Sequence, residues 1–215
     1  MMLNKYVWYI IFLPLIAGSI YYKYLNKSHR LIYWFIVFGT ITEITSKILR
    51  KFLEVKNNMP LGHFYIVVSF FFVALFYYHE LKGFISNKIL TGIITFYAVF
   101  SVINILFFQS YLVYPSIPGS VSALILVSFS ILLYAQIMKE GKIQILSESS
   151  IIWINSAVLI YYSGNFFFYI LFNFLLSYSR DFLIKTLNFF ALLTLVFYLL
   201  IAVGFYKAGK KHYSS

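Results

Sequence analysis

Glu43 and Lys47 stand one helical turn apart inside the otherwise apolar stretch Leu31 to Arg50, and no other apolar stretch holds an acid so deep. A carboxylate with an ammonium at i+4 can hold a polar ligand or, beside a histidine, move a proton. His63 and Lys185, on other apolar segments, are further charge partners expected for Glu43. Polar side chains at comparable depth follow along the chain: Tyr65, Asn104, Gln109, Tyr162, Asn165, Tyr169, Asn173 and Asn188. On one helix, Asn155, Tyr162, Phe166, Tyr169 and Asn173 fall within a narrow angular sector. These residues, Asn155 and Phe166 apart, make the predicted ligand-binding set. The competing reading is that such groups bond one another across helices at about 1 kcal/mol per contact, and for Asn104, Asn155 and Asn188 taken singly that is the expected role.

Much chemistry is set aside by inventory. Glu54, Glu80, Glu140, Glu148 and Asp181 lie in predicted loops or at helix ends, so paired-carboxylate hydrolysis lacks its second acid. The same shortage weakens a likeness to the membrane lysoplasmalogenase type. The chain has no Cys, which removes thiolate catalysis and Cys-ligated metals. Glycine-flanked serine elbows, P-loops and dinucleotide fingerprints are absent. A lone His63 without a second histidine or acid at ligand spacing makes no metal site. A retinal Schiff base needs a lysine near the middle of the last helix, where the chain reads Leu192 to Tyr198, and Lys185 is about two turns too near the end. No catalytic residue, metal or cofactor is therefore assigned.

The elements that must position these residues are membrane spans. Of 215 residues, 62% are hydrophobic, 22% aromatic and only 11% charged, and the mean hydropathy is +0.86. A hydrocarbon core of about 30 Å takes about 20 apolar residues per helix, which leaves room for seven spans and no soluble domain. The fold class expected is an all-α bundle of seven transmembrane helices forming one domain, with spans at about 6–24, 31–50, 61–81, 89–111, 120–138, 151–176 and 182–206. At about 100° per residue, Gly39, Glu43, Ser46 and Arg50 share one side of the second span, flanked by Thr40 and Lys47, while Ile41, Ile44 and Ile48 lie elsewhere. A carboxylate among acyl chains is costly, so that side must face protein or water.

The clearest break is Tyr114 to Ser120, with two prolines and a glycine and no charge. Gly119 and Ala123 beyond it form a small-xxx-small pair that permits close helix contact. Ser147 to Ser150 read as a helix cap. The net charge of +11 sits at the ends of apolar segments and forms no basic stripe, which points to lipid head groups and not to nucleic acid. Ten of the 17 Lys and Arg fall on the C-terminal side, so the positive-inside rule predicts an outer N-terminus and a cytoplasmic C-terminus.

Trp153-Ile154-Asn155-Ser156, followed by Leu159 to Phe166, resembles an uncharacterised family of seven-span integral membrane proteins of Bacteroidetes. Asn58 to Tyr65 and Asn104 to Gln109 are similar to the same family. The resemblance implies the span count and a bacterial cytoplasmic membrane, and carries no activity. Family members tend to place an acid early in the third span, where this chain has Val67-Val68-Ser69-Phe70.

With this orientation the deep polar residues converge on the outer half. The function expected is a non-enzymatic sensor or receptor-like module that binds a small molecule or lipid there and signals to a cytoplasmic or membrane partner. The alternatives are a lipid-modifying or lipid-hydrolysing enzyme using Glu43 and His63, and a transport or structural subunit.

Overall fold

A computed structural model describes residues 9–141, 145–176 and 180–213. Among them the chain is all-helical, with α1 Phe12–Ile20, α2 Lys27–Lys51, α3 Met59–Glu80, α4 Asn87–Ile103, α5 Ser116–Glu140, α6 Ser150–Leu176 and α7 Arg180–Tyr213. Helices α2, α3, α5, α6 and α7, and α4 together with the turn that continues it to Phe108, are each long and apolar enough to cross a membrane, the make-up of a multi-pass membrane protein. The described part of α1 has nine residues and does not reach that length by itself. The start of the span predicted over 6–24 lies outside the described residues.

Helix ends follow local chemistry more closely than apolar content. Helix α2 begins at Lys27, ahead of the predicted Leu31, because the Asn26 side chain accepts the His29 backbone N–H at 2.8 Å and caps the first turn. Helix α4 runs into a π turn, Asn104–Phe108, and stops before the predicted 111, where Gln109 turns extended. Helix α5 starts at Ser116, so Pro118 and Gly119 belong to its first turn and not to the break before it; proline is tolerated there because the N–H it lacks would have no partner. At its other end Gly141 takes the left-handed conformation, φ 60°, and stops the helix. Helix α7 carries on through Lys207 and Lys210 to Tyr213, beyond the predicted 206.

Ile41, Ile44 and Ile48 on α2, Phe96, Val99 and Val102 on α4, and Leu124 and Ile131 on α5 face outward. Outward apolar side chains are what lipid contact requires, while each helix satisfies its backbone internally. Inside, α3 packs against α2 and α5, and α6 packs against α5 and α7. Asn155 of α6 joins three of these helices. Its Oδ1 accepts from the Tyr77 hydroxyl of α3 at 2.7 Å and from Ser130 Oγ of α5 at 2.9 Å, and its Nδ2 donates to the Ser130 carbonyl at 3.0 Å. All three side chains are fully buried, so Asn155 has the bridging role expected of a lone amide between helices.

At the end of the bundle away from Glu43, Lys207 Nζ of α7 donates to Glu148 Oε1, just before α6, at 2.8 Å. That hydrogen bond, and then the charges of Lys207 and Lys210, hold the Glu148 carboxyl below its ordinary value of 4.5. Because the folded value is the lower one, the pair's contribution is complete above 4.5 and disappears as pH falls through the lowered value. Glu148→Gln is expected to flatten the acid limb of thermal midpoint against pH below 4.5, by a small amount because Glu148 is exposed. Unfolding followed by circular dichroism over a pH series checks this.

Candidate functional site

The face of α2 that carries Glu43 borders a cavity of about 510 Å³. Gly39, Thr42, Glu43 and Ser46 line it from α2, all on one side of that helix, with Thr42 in place of the flanking Thr40. Thr40 is buried and donates to the Ile36 carbonyl at 2.8 Å. Asn58, just before α3, and Tyr65 and Ile66 in its first turns line the cavity, and Asn58 Nδ2 donates to Ser46 Oγ at 2.8 Å, tying the start of α3 to α2 there. Tyr114 and Pro115 close it from the loop before α5. Tyr161, Asn165, Phe168 and Tyr169 come from α6, and Leu187, Phe190, Ala191, Thr194 and Tyr198 from α7.

The wall is largely aromatic. Tyr114 and Tyr169 stack with ring centroids 6.1 Å apart, and Phe168 packs on Phe190 at 3.9 Å. Tyr65 stacks on Phe38 of α2 at 5.9 Å and nearly parallel. Burial first, and then the neighbouring Tyr161, push the Tyr114 hydroxyl up from its ordinary value, so Tyr114 stays a neutral phenol. Glu43 and Lys47 pair within α2, Nζ to Oε1, at 3.6 Å. The Glu43 side chain is 42% exposed and that of Lys47 29%, and at 3.6 Å the pair is looser than a charge-assisted hydrogen bond.

Four of the predicted residues, Glu43, Tyr65, Asn165 and Tyr169, meet on this lining. Asn165 Nδ2 donates to the Tyr161 carbonyl at 2.8 Å, which leaves its carbonyl oxygen for other partners. Lys47 joins only through Glu43, and Tyr162 is buried without lining the cavity. His63 is buried, and its Nε2 lies 2.9 Å from the Val113 carbonyl of the loop before α5. Gln109 braces the same loop: its Nε2 donates to the Tyr114 carbonyl at 2.8 Å and to Ser116 Oγ at 2.9 Å. Asn104 is fully buried at the π turn, and neither of its amide atoms has a hydrogen-bond partner among the described residues. Lys185 is exposed and pairs with Asp181 at 2.9 Å, and Asn188 does not line the cavity. The Asn173 side chain lies outside the described residues.

No known protein family, curated protein or solved structure matches this chain.

Two features escaped the sequence reading. Tyr114, Tyr161 and Tyr198 line the cavity, although none of the three belongs to the predicted ligand-binding set. Helical phase alone put Tyr169 in the set, and the same test between α6 and α7 would have been needed for Tyr161 and Tyr198. At the opposite end of the bundle, His29 Nε2 lies 2.9 Å from Ser150 Oγ and its Nδ1 lies 2.6 Å from Asn26 Oδ1. Ser28 Oγ meets both Asn26 Oδ1 and Glu80 Oε1, so this cluster holds the starts of α2 and α6 against the end of α3. The Asn26-x-Ser28-His29 run signals a helix cap, but nothing local announces Ser150, 121 residues away.

Proposed function

We propose that this protein is a non-enzymatic sensor or receptor-like module of the bacterial cytoplasmic membrane, which holds a small amphiphile or lipid in the cavity beside Glu43. The single observation that carries the reading is that cavity, about 510 Å³, open on one side and lined by α2, α3, α6, α7 and the loop before α5. Its size lies within the range of ligand sites, about 300 to 1,000 Å³, and its make-up is theirs: an apolar and aromatic wall with a few converging polar groups. The proposed arrangement has seven spans, the N-terminus outside and the C-terminus in the cytoplasm, so the cavity faces outward. The basic inner loops, with Lys82, Lys88 and Lys139, then offer the surface for a cytoplasmic or membrane signalling partner. Membership in the seven-span family of Bacteroidetes belongs to the same proposal and rests on the motifs at Trp153, Asn58 and Asn104 alone.

The enzymatic alternative needs His63 beside Glu43. His63 does not line the cavity and its Nε2 is engaged by the Val113 carbonyl, which favours binding over turnover. Ala191 of α7 lines the cavity and is buried, so Ala191→Trp fills the space from within. In native mass spectra of protein released from bacterial membranes, the wild type is expected to carry a bound amphiphile that Ala191→Trp, with unchanged helical content, does not. Wild-type protein free of any bound molecule overturns the proposal.

A further inference from the structure

We propose that the cavity selects amphiphiles whose head group is a positively charged amine, held by Glu43 and the tyrosine rings around it. This rests on the ligand-binding reading above and names the chemistry of the same site. Glu43 is the only charged residue lining the cavity among the described residues; no lysine, arginine or histidine lines it. The one charge on the wall is therefore negative, and Lys47 offsets it from 3.6 Å away, off the lining. Tyr65 of α3, Tyr161 of α6 and Tyr198 of α7 line the same cavity as Glu43. A ring face attracts a cation most strongly where water is excluded, so a cavity that joins several tyrosine rings to one carboxylate supplies both kinds of partner an ammonium group takes. Ile66, Leu187 and Phe190 supply an apolar wall for the chain attached to that head.

The Glu43 carboxylate is available because its present partner holds it loosely. Lys47 Nζ stands 3.6 Å from Oε1, well beyond the 2.7 to 2.9 Å typical of a charge-assisted hydrogen bond, and Lys47 is not on the lining. An incoming ammonium replaces one cation at Glu43 by another, so the carboxylate keeps a partner throughout. An anionic head would meet Glu43 itself, and a neutral head would forfeit both the charge and the ring contacts.

The test uses the full-length protein in liposomes with three photoactivatable probes that share a dodecyl diazirine chain and differ in head: trimethylammonium, hydroxyl or sulfate. Labelled peptides are located by mass spectrometry. The trimethylammonium probe is expected to label cavity peptides about tenfold more than either other probe. Glu43→Gln should bring it down to the level of the hydroxyl probe, and Lys47→Gln, which removes the internal competitor, should raise it. Equal labelling by all three probes of wild-type protein overturns the charge selectivity and leaves the ligand-binding reading standing, and this comparison needs no variant to fold. Labelling by the trimethylammonium probe that is indifferent to Glu43→Gln, or that falls in Lys47→Gln, likewise overturns it. If no probe labels the cavity, the ligand-binding reading falls and this proposal falls with it.

Discussion

Asn155→Leu is expected to destabilise the protein by about 3 kcal/mol, lowering the thermal midpoint in detergent by roughly 6–12 °C. Asn155 is fully buried and is the acceptor for the Tyr77 hydroxyl and for Ser130 Oγ. Leucine keeps the branched outline and is the larger side chain, so none of the effect comes from a void. What remains is the cost of burying a tyrosine hydroxyl that has lost its acceptor, about 1–3 kcal/mol, plus the bonds to Ser130. A control separates the two. In the Asn155→Leu background, Tyr77→Phe removes the stranded hydroxyl and should recover part of the loss, because deleting both partners of a buried hydrogen bond is nearly neutral. An unchanged midpoint in Asn155→Leu, or no recovery in the pair, would show that α3, α5 and α6 are not joined through this residue.

Gly119→Val should disturb fold and cavity together. A Cβ at Gly119 would stand 2.9 Å from two ring carbons of Tyr169, a separation real Cβ atoms essentially never show. That ring is buried, is stacked on Tyr114 and lines the cavity, so it can give way only by moving into the space it borders. Overpacking of this kind costs about 1–3 kcal/mol. The expected result is a lower thermal midpoint together with loss of the bound amphiphile from native mass spectra. Tyr169→Ala added to Gly119→Val should restore the midpoint in part by removing the clash. A Gly119→Val protein as stable as the wild type would mean that α5 and α6 do not approach this closely. The small-xxx-small pair at Gly119 and Ala123, weak as a sequence signal, thus marks a real contact, with both residues buried.

Membrane character was legible without coordinates, because crossing lipid requires long apolar helices and leaves few other uses for such a composition. The direction of each side chain on its own helix was legible too. On α2, Ile41, Ile44 and Ile48 face outward, whereas Gly39, Glu43 and Ser46 face the cavity, as a rotation of about 100° per residue demands. The meeting of Glu43 with Tyr65 of α3 and with Asn165 and Tyr169 of α6 also followed, whereas Asn104 and Gln109 just past the end of α4 and Lys185 and Asn188 of α7, expected in the same cluster, do not line the cavity.

Tertiary structure decided which of these groups meet. His63 and Gln109 are drawn to the loop before α5, whose carbonyls and Ser116 need partners, and Lys185 stays outside with Asp181. Tyr161 and Tyr198, unremarkable as residues of an aromatic-rich chain, complete the wall beside Glu43. Periodicity states where a side chain points relative to its own helix axis, but the rotation and crossing of neighbouring helices depend on how side chains such as Tyr169 fit against Gly119. No segment of the chain contains that fit by itself, so the cavity exists only once the helices have packed.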